Sequence, residues 1–128
     1  GARFEDITPD SIRAFVDQFY WRVRDDSLLG PIFEGKIGVS DAEWEPHLVK
    51  ITAFWSAVLL RIPGFNGDPH GAHIRLETPL DTIHFDRWIG HFETTAAEIF
   101  EEAPRDTIVA TAKRIRSRLE PSVRAARS

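Results

Sequence analysis

The chain predicts an all-α domain, on three observations. Four stretches place apolar residues at helical spacing, no segment alternates apolar and polar residues as a half-buried strand does, and each stretch is bounded by a capping or breaking residue. At 128 residues the sequence amounts to a single domain spanning 1–128, long enough to bury roughly two thirds of the surface its unfolded chain exposes. Residues 1–7 and 121–128 are expected to be loosely ordered ends.

The first helix follows from Ile12, Phe15, Val16, Phe19 and Val23, which leave Arg13, Asp17, Arg22 and Arg24 for solvent. Thr8 is its cap, and Pro9 occupies the first turn, where a missing N–H costs nothing. Gly30-Pro31 is expected to stop it after about Asp26. The second begins at Ser40-Asp-Ala-Glu43, a capping box, and carries Trp44, Leu48, Ile51, Trp55, Val58 and Leu59 to about Leu60, ahead of Pro63-Gly64. The third starts at Asp81-Thr82 and holds Phe85, Trp88, Ile89, Phe92, Ala96, Ile99 and Phe100. The last holds Ile108, Ala112, Ile115 and Leu119 and is expected to break near Pro121.

Between the second and third helices runs a connection from about Arg61 to Asp81. In a small helical domain a connection of that length is usually functional or disordered. Ile74, Leu76 and Leu80 give it something to bury, so a short helix or turn is expected around residues 70–76.

Composition narrows the chemistry. Cysteine is absent, which excludes disulfides, thiolate metal sites and cysteine nucleophiles. A net charge of -4 and a pI near 5.7 give no global attraction to nucleic acid or anionic lipid. No apolar run approaches the roughly 20 residues of a membrane span, and the opening GARFEDITPD lacks the order of a signal peptide, so a cytoplasmic location is the default expectation. The basic end KRIRSRLEPSVRAARS reads as a solvated helix terminus whose cations suit the negative pole of the helix dipole, with a phosphate- or membrane-binding tail as the alternative. Nine Phe and four Trp against one Tyr fit either a densely filled core or a core wrapped around a large flat ligand.

The five histidines and the polar-tipped aromatics carry what chemistry there is. His47 borders the apolar stripe of Ile51, Phe54 and Val58, Tyr20 follows the core residue Phe19, and Trp88 and His91 lie one turn apart. Polar atoms at the rim of an apolar interior are what a pocket for a mostly apolar ligand needs, although each of these residues taken alone also fits a structural role. His84, just after a helix start, reads as exposed. In the connection, His70 and His73 stand three apart. A zinc site built on them lacks further ligands, since no HExxH or neighbouring carboxylate pattern completes the set. A single imidazole capping an aromatic-lined pocket suits haem iron better, because the porphyrin supplies four ligands and asks the protein for one.

The segment FYWRVRDDSLLGPIFEGKIG (19–38) resembles the entry of a truncated haemoglobin, and SDAEWEPHLVKITAFWSAVLL (40–60) with HFDRWIGHFE (84–93) is similar to the third subgroup, group III. The resemblance extends over about residues 4–120. It implies a globin-like 2-over-2 helical sandwich, two antiparallel helix pairs crossed with a haem b between them. Carried over by position, it implies His73 as the proximal iron ligand and Tyr20, His47 and Trp88 as the distal ligand-binding residues. Phe33, Ile51, Phe54 and Trp55 are implied as pocket lining.

The residues around the two candidate imidazoles favour the same choice. Ile74 and Leu76 can turn inward beside His73, whereas His70 follows Asp68-Pro69 and reads as a surface neighbour. Arg75 is a candidate partner for a haem propionate. The expected activity is binding of O2, CO or NO at a five-coordinate iron, serving O2/NO or peroxide-linked redox chemistry and not bulk transport. NO dioxygenase-like or peroxidase-like turnover would need an external reductase. A non-haem helical interaction module is the alternative reading.

Overall fold

The computed structural model describes residues 2–62 and 80–127, with residues 122–127 described by their backbone alone. Within them run five helices: α1 (Pro9–Asp25), α2 (Leu29–Ile37), α3 (Asp41–Leu60), α4 (Thr82–Ile99) and α5 (Glu102–Arg127). The expected short helix around 70–76 lies outside the described residues.

Local chemistry sets the helix starts. Thr8 Oγ1 accepts the Ser11 N–H at 3.1 Å while Ser11 Oγ accepts the Thr8 N–H at 2.8 Å, so two donors at the start of α1 are satisfied reciprocally. Ser40 and Glu43 do the same for α3, as their spacing predicts. Gly38, at φ 126°, turns the chain between α2 and α3 in a backbone region that disfavours any residue with a Cβ.

The structure adds to the expected helix boundaries and corrects one. α1 ends at Asp25 as expected, and Gly30-Pro31 lies in the first turn of a further helix, α2, where proline withdraws an N–H that had no intrahelical partner. Gly30 is needed there, since a Cβ would run into the Arg24 carbonyl. Pro121 does not end α5, which continues to Arg127. The amino-terminal stretch is tied down: Phe4 N–H donates to the Ile99 carbonyl at 2.8 Å and Glu101 N–H to the Phe4 carbonyl at 2.9 Å.

Two side chains also depart from their expected faces. Arg24 is only 12% exposed; its guanidinium lies 4.8 Å from the centre of the Trp44 ring and donates to the Val39 carbonyl at 3.0 Å, a stacked site that a planar cation occupies readily. Val58 is exposed despite its place in the apolar spacing of α3.

α1 is the hub. It packs against α2, α3 and α4, and α4 packs along α5, which gives the arrangement of two helix pairs that the resemblance implies. Where α1 meets α4, Phe15 and Phe19 face Phe92 edge-on, at ring-centre distances of 4.6 and 5.3 Å, and all three rings are essentially inaccessible to solvent. Such edge-to-face pairs add to the area term because the positive ring edge meets the negative face. Among the described residues no helix is long and apolar enough to cross a membrane.

Phe92→Ala should therefore lower unfolding stability by about 3–5 kcal/mol in urea titration, whereas Val39→Ala, at an exposed position, should change it by less than about 0.5 kcal/mol.

Candidate functional site

All five helices contribute to one largely apolar cavity. Tyr20 comes from α1, Leu29 and Phe33 from α2, and Ile51, Phe54 and Trp55 from α3. Phe85 and Trp88 come from α4, Ile115 and Leu119 from α5. The atom-free space, open mouth included, is about 1150 Å³, far more than a diatomic molecule fills.

Helical spacing explains the lining. Ile51, Phe54 and Trp55 sit at i, i+3 and i+4 on α3, and Phe85 and Trp88 are three apart on α4, so each helix turns one narrow stripe inward. Tyr20 is placed by its neighbours: its ring stands edge-on to Phe19 at 4.9 Å and to Phe33 at 6.2 Å, and is tilted against Trp44 at 5.7 Å. Trp88 packs on Phe19 and Phe92.

Two polar groups on this wall stand out. Tyr20 is buried, with 7% of its surface exposed, and its phenol makes no hydrogen bond among the described residues; the half-buried Trp88 likewise leaves its indole N–H without one. Both residues line the cavity, so their donors are suited to an acceptor brought in by a ligand. Burial pushes the Tyr20 phenol well above its ordinary value, which keeps it a protonated donor throughout the neutral range.

Of the expected site residues, Tyr20, Trp88, Phe33, Ile51, Phe54 and Trp55 come together around this cavity. His47 is half-buried and stands one layer back, edge-on to Tyr20 at 5.5 Å and to Trp44 at 5.4 Å, rather than on the cavity wall. His73, His70 and Arg75 lie outside the described residues. His84 corrects its expected exposure: it is half-buried on the cavity wall, and its Nδ1 accepts the Asp81 N–H at 2.9 Å. A neutral imidazole accepting at Nδ1 carries its proton on Nε2.

Sequence reasoning missed the contribution of the last helix. Arg116 and Arg118 line the cavity with Ile115 and Leu119. Arg116 is held by Asp86 at 2.6 Å and Glu120 at 3.0 Å. The apolar spacing of α5 marks Ile115 and Leu119 as inward, but nothing in spacing tells a cavity wall from a filled core.

A second missed feature lies behind Trp88. The Asp26 carboxylate, 4% exposed, accepts the Leu28 and Leu29 N–H groups on Oδ1 at 2.7 and 2.9 Å. Its Oδ2 meets Arg87 at 2.8 Å and His91 Nε2 at 2.7 Å. Burial pushes this carboxyl up, but hydrogen bonds from His91, the Leu29 amide, Arg87 and the Leu28 amide together outweigh it and hold the group well below its ordinary 3.8.

A carboxyl lowered on folding contributes stability that is present above its unfolded value and fades as pH falls through the folded one. The stability gap between the wild type and Asp26→Asn should thus be full at neutral pH and narrow steadily below about pH 3.8 in denaturant titrations; a gap that widened in acid would contradict the bonding described.

No family model matches the chain. It is 36% identical over 118 residues, 92% of either chain, to the group 3 truncated hemoglobin ctb of Campylobacter jejuni. The crystal structure of the group III truncated hemoglobin from Campylobacter jejuni superposes with a TM-score of 0.91 at 35% identity, covering 95% of each chain.

Proposed function

The chain belongs to the group III truncated haemoglobins, and from that premise we propose that it binds haem b in the cavity described and holds diatomic ligands against Tyr20 and Trp88. The observation that carries this reading is the pair of protein donors, lacking partners among the described residues, on the wall of a large apolar cavity. When bound, haem supplies an iron with one position open to O2, CO or NO.

The residues present fit that group. Phe33, Ile51, Phe54 and Trp55 offer flat and branched apolar surface to a porphyrin, with Leu29, Phe85 and Leu119 closing the space around it. Arg116, already paired with Asp86 and Glu120, and Arg118 bring guanidinium donors to the same cavity, the kind of group that recognises the carboxylates of a porphyrin. His73 is the proposed proximal ligand, on the strength of the family likeness and of the apolar residues that follow it in the chain. Arg75 is proposed as a further propionate partner.

Tyr20 O–H and Trp88 N–H would donate to a ligand that carries partial negative charge, each bond contributing roughly 1.5–3 kcal/mol. His47, edge-on to Tyr20, supports the tyrosine ring from behind. Two such donors slow ligand release, which suits O2/NO or peroxide-linked redox chemistry with electrons from a separate reductase better than carriage, because a carrier must let go.

Purified protein with added haemin should give a sharp Soret band and a ferrous CO complex, retained in His70→Ala and lost in His73→Ala. The broad spectrum of free haemin in the wild type would instead leave a helical module whose aromatics serve only as core. Tyr20→Phe should speed O2 dissociation about tenfold in stopped-flow measurements if about 1.4 kcal/mol is lost, and an unchanged rate would remove Tyr20 from the donor role.

A further inference from the structure

We propose that Asp26, acting through Arg87 and His91, is a positioning residue that sets the gap between the two donors Tyr20 and Trp88; the inference rests on the haem reading above.

The geometry is that of one carboxylate shared by three helices. Asp26 closes α1, the helix that carries Tyr20, and its Oδ1 receives the first amides of α2, the helix that carries Phe33. Its Oδ2 grips α4 at Arg87 and at His91, which are four apart and so lie on one face of the helix. Trp88 lies between them in sequence and about a quarter-turn round from Arg87, on the cavity side. Holding the outer face of α4 at two points one turn apart fixes both its axial register and its roll, and these two quantities decide where the indole N–H stands relative to the Tyr20 phenol.

The bond set has the strength for that task. The carboxylate is nearly inaccessible, its bonds are 2.7–2.9 Å long, and Arg87 makes a charge-assisted one. His91 donates from Nε2 whether neutral or protonated. The next turn of α4 is fastened to α1 as well, since Arg22 donates to Thr95 Oγ1 at 2.8 Å and pairs with Glu98. Asp86, beside Arg87, is taken up by Arg116 of α5. Asp26 is therefore the carboxylate that Arg87 and His91 of α4 meet at the α1–α2 junction.

The test separates the two halves of Asp26. Asp26→Asn keeps an acceptor for the Leu28 and Leu29 amides but replaces the second acceptor by an amide donor. His91→Leu removes one grip, and His91→Gln retains an N–H able to reach it. Two readouts are taken: the C–O stretch of the ferrous CO complex, which senses nearby donors, and the Trp88 indole 1H–15N resonance of the haem-free protein, assigned with Trp88→Phe.

Asp26→Asn and His91→Leu should move both signals and raise O2 dissociation about threefold, half the free-energy effect of losing a donor outright. His91→Gln should restore the wild-type values, and Asp26→Asn should add nothing to Trp88→Phe. Unmoved signals in Asp26→Asn and His91→Leu would overturn the proposal, as would an undiminished Asp26→Asn effect in the Trp88→Phe background. A wild type that forms no CO complex would sink the haem reading, and the haem-free indole resonance would then decide the positioning claim alone: moved by the variants it stands, unmoved it falls. Should Asp26→Asn fail to fold, His91→Leu and His91→Gln carry the test between them: signals moved by leucine and restored by glutamine support the positioning role, and signals alike in both overturn it.

Discussion

The crossing of α1 and α4 through Phe15, Phe19 and Phe92 is the contact on which the remaining structure depends. Among the described helices, α1 alone packs on all of α2, α3 and α4, and α5 is carried by α4. If the crossing loosened, Tyr20 and Trp88 would part company, because each is anchored on Phe19: Tyr20 edge-on at 4.9 Å and Trp88 edge-on at 5.6 Å. A fully buried phenylalanine between the two donors thus divides the hydrophobic centre of the molecule from its cavity. The apolar term and the site geometry are carried by the same side chain.

Around that crossing, charge does a different task from burial. Most of the ion pairs lie at the surface, where each contributes little. The cluster at Asp26 differs because its carboxylate is almost inaccessible and both of its oxygens are engaged. Removing one partner there leaves a buried group unsatisfied, which costs more than the bond contributes when it is made. The cavity differs again: Tyr20 and Trp88 present donors there that the described residues do not take up, which leaves them to a ligand.

The four long helices were legible because their signals are local. Thr8-Pro9 and Ser40 to Glu43 state their caps in adjacent residues, and the 3.6-residue spacing states which face turns inward. α2 was not legible, since Gly30-Pro31 marks the end of one helix and the first turn of the next with the same two residues, and only the Asp26 side chain, folded back onto Leu28 and Leu29, shows which applies. The cavity aromatics were assigned through family resemblance; composition and helical spacing alone left a filled core and a core wrapped around a flat ligand both open. Arg24, His84 and the grip of Asp26 on Arg87 and His91 were beyond reach, because each depends on how the chain folds back on itself in three dimensions.

The strap at Phe4 has its own consequence for the order of assembly. It joins the first few residues to the turn between α4 and α5, so its two hydrogen bonds close a loop containing most of the chain. Contacts of such large sequence separation return little free energy until the intervening helices have condensed, which places the strap among the last elements to form. The same two amides belong to the exposed residues Phe4 and Glu101, and would be among the first to exchange with solvent deuterium when the native state breathes. Loosening this seam would leave the packed helices and their cavity standing, so the strap acts as a latch on a body already assembled.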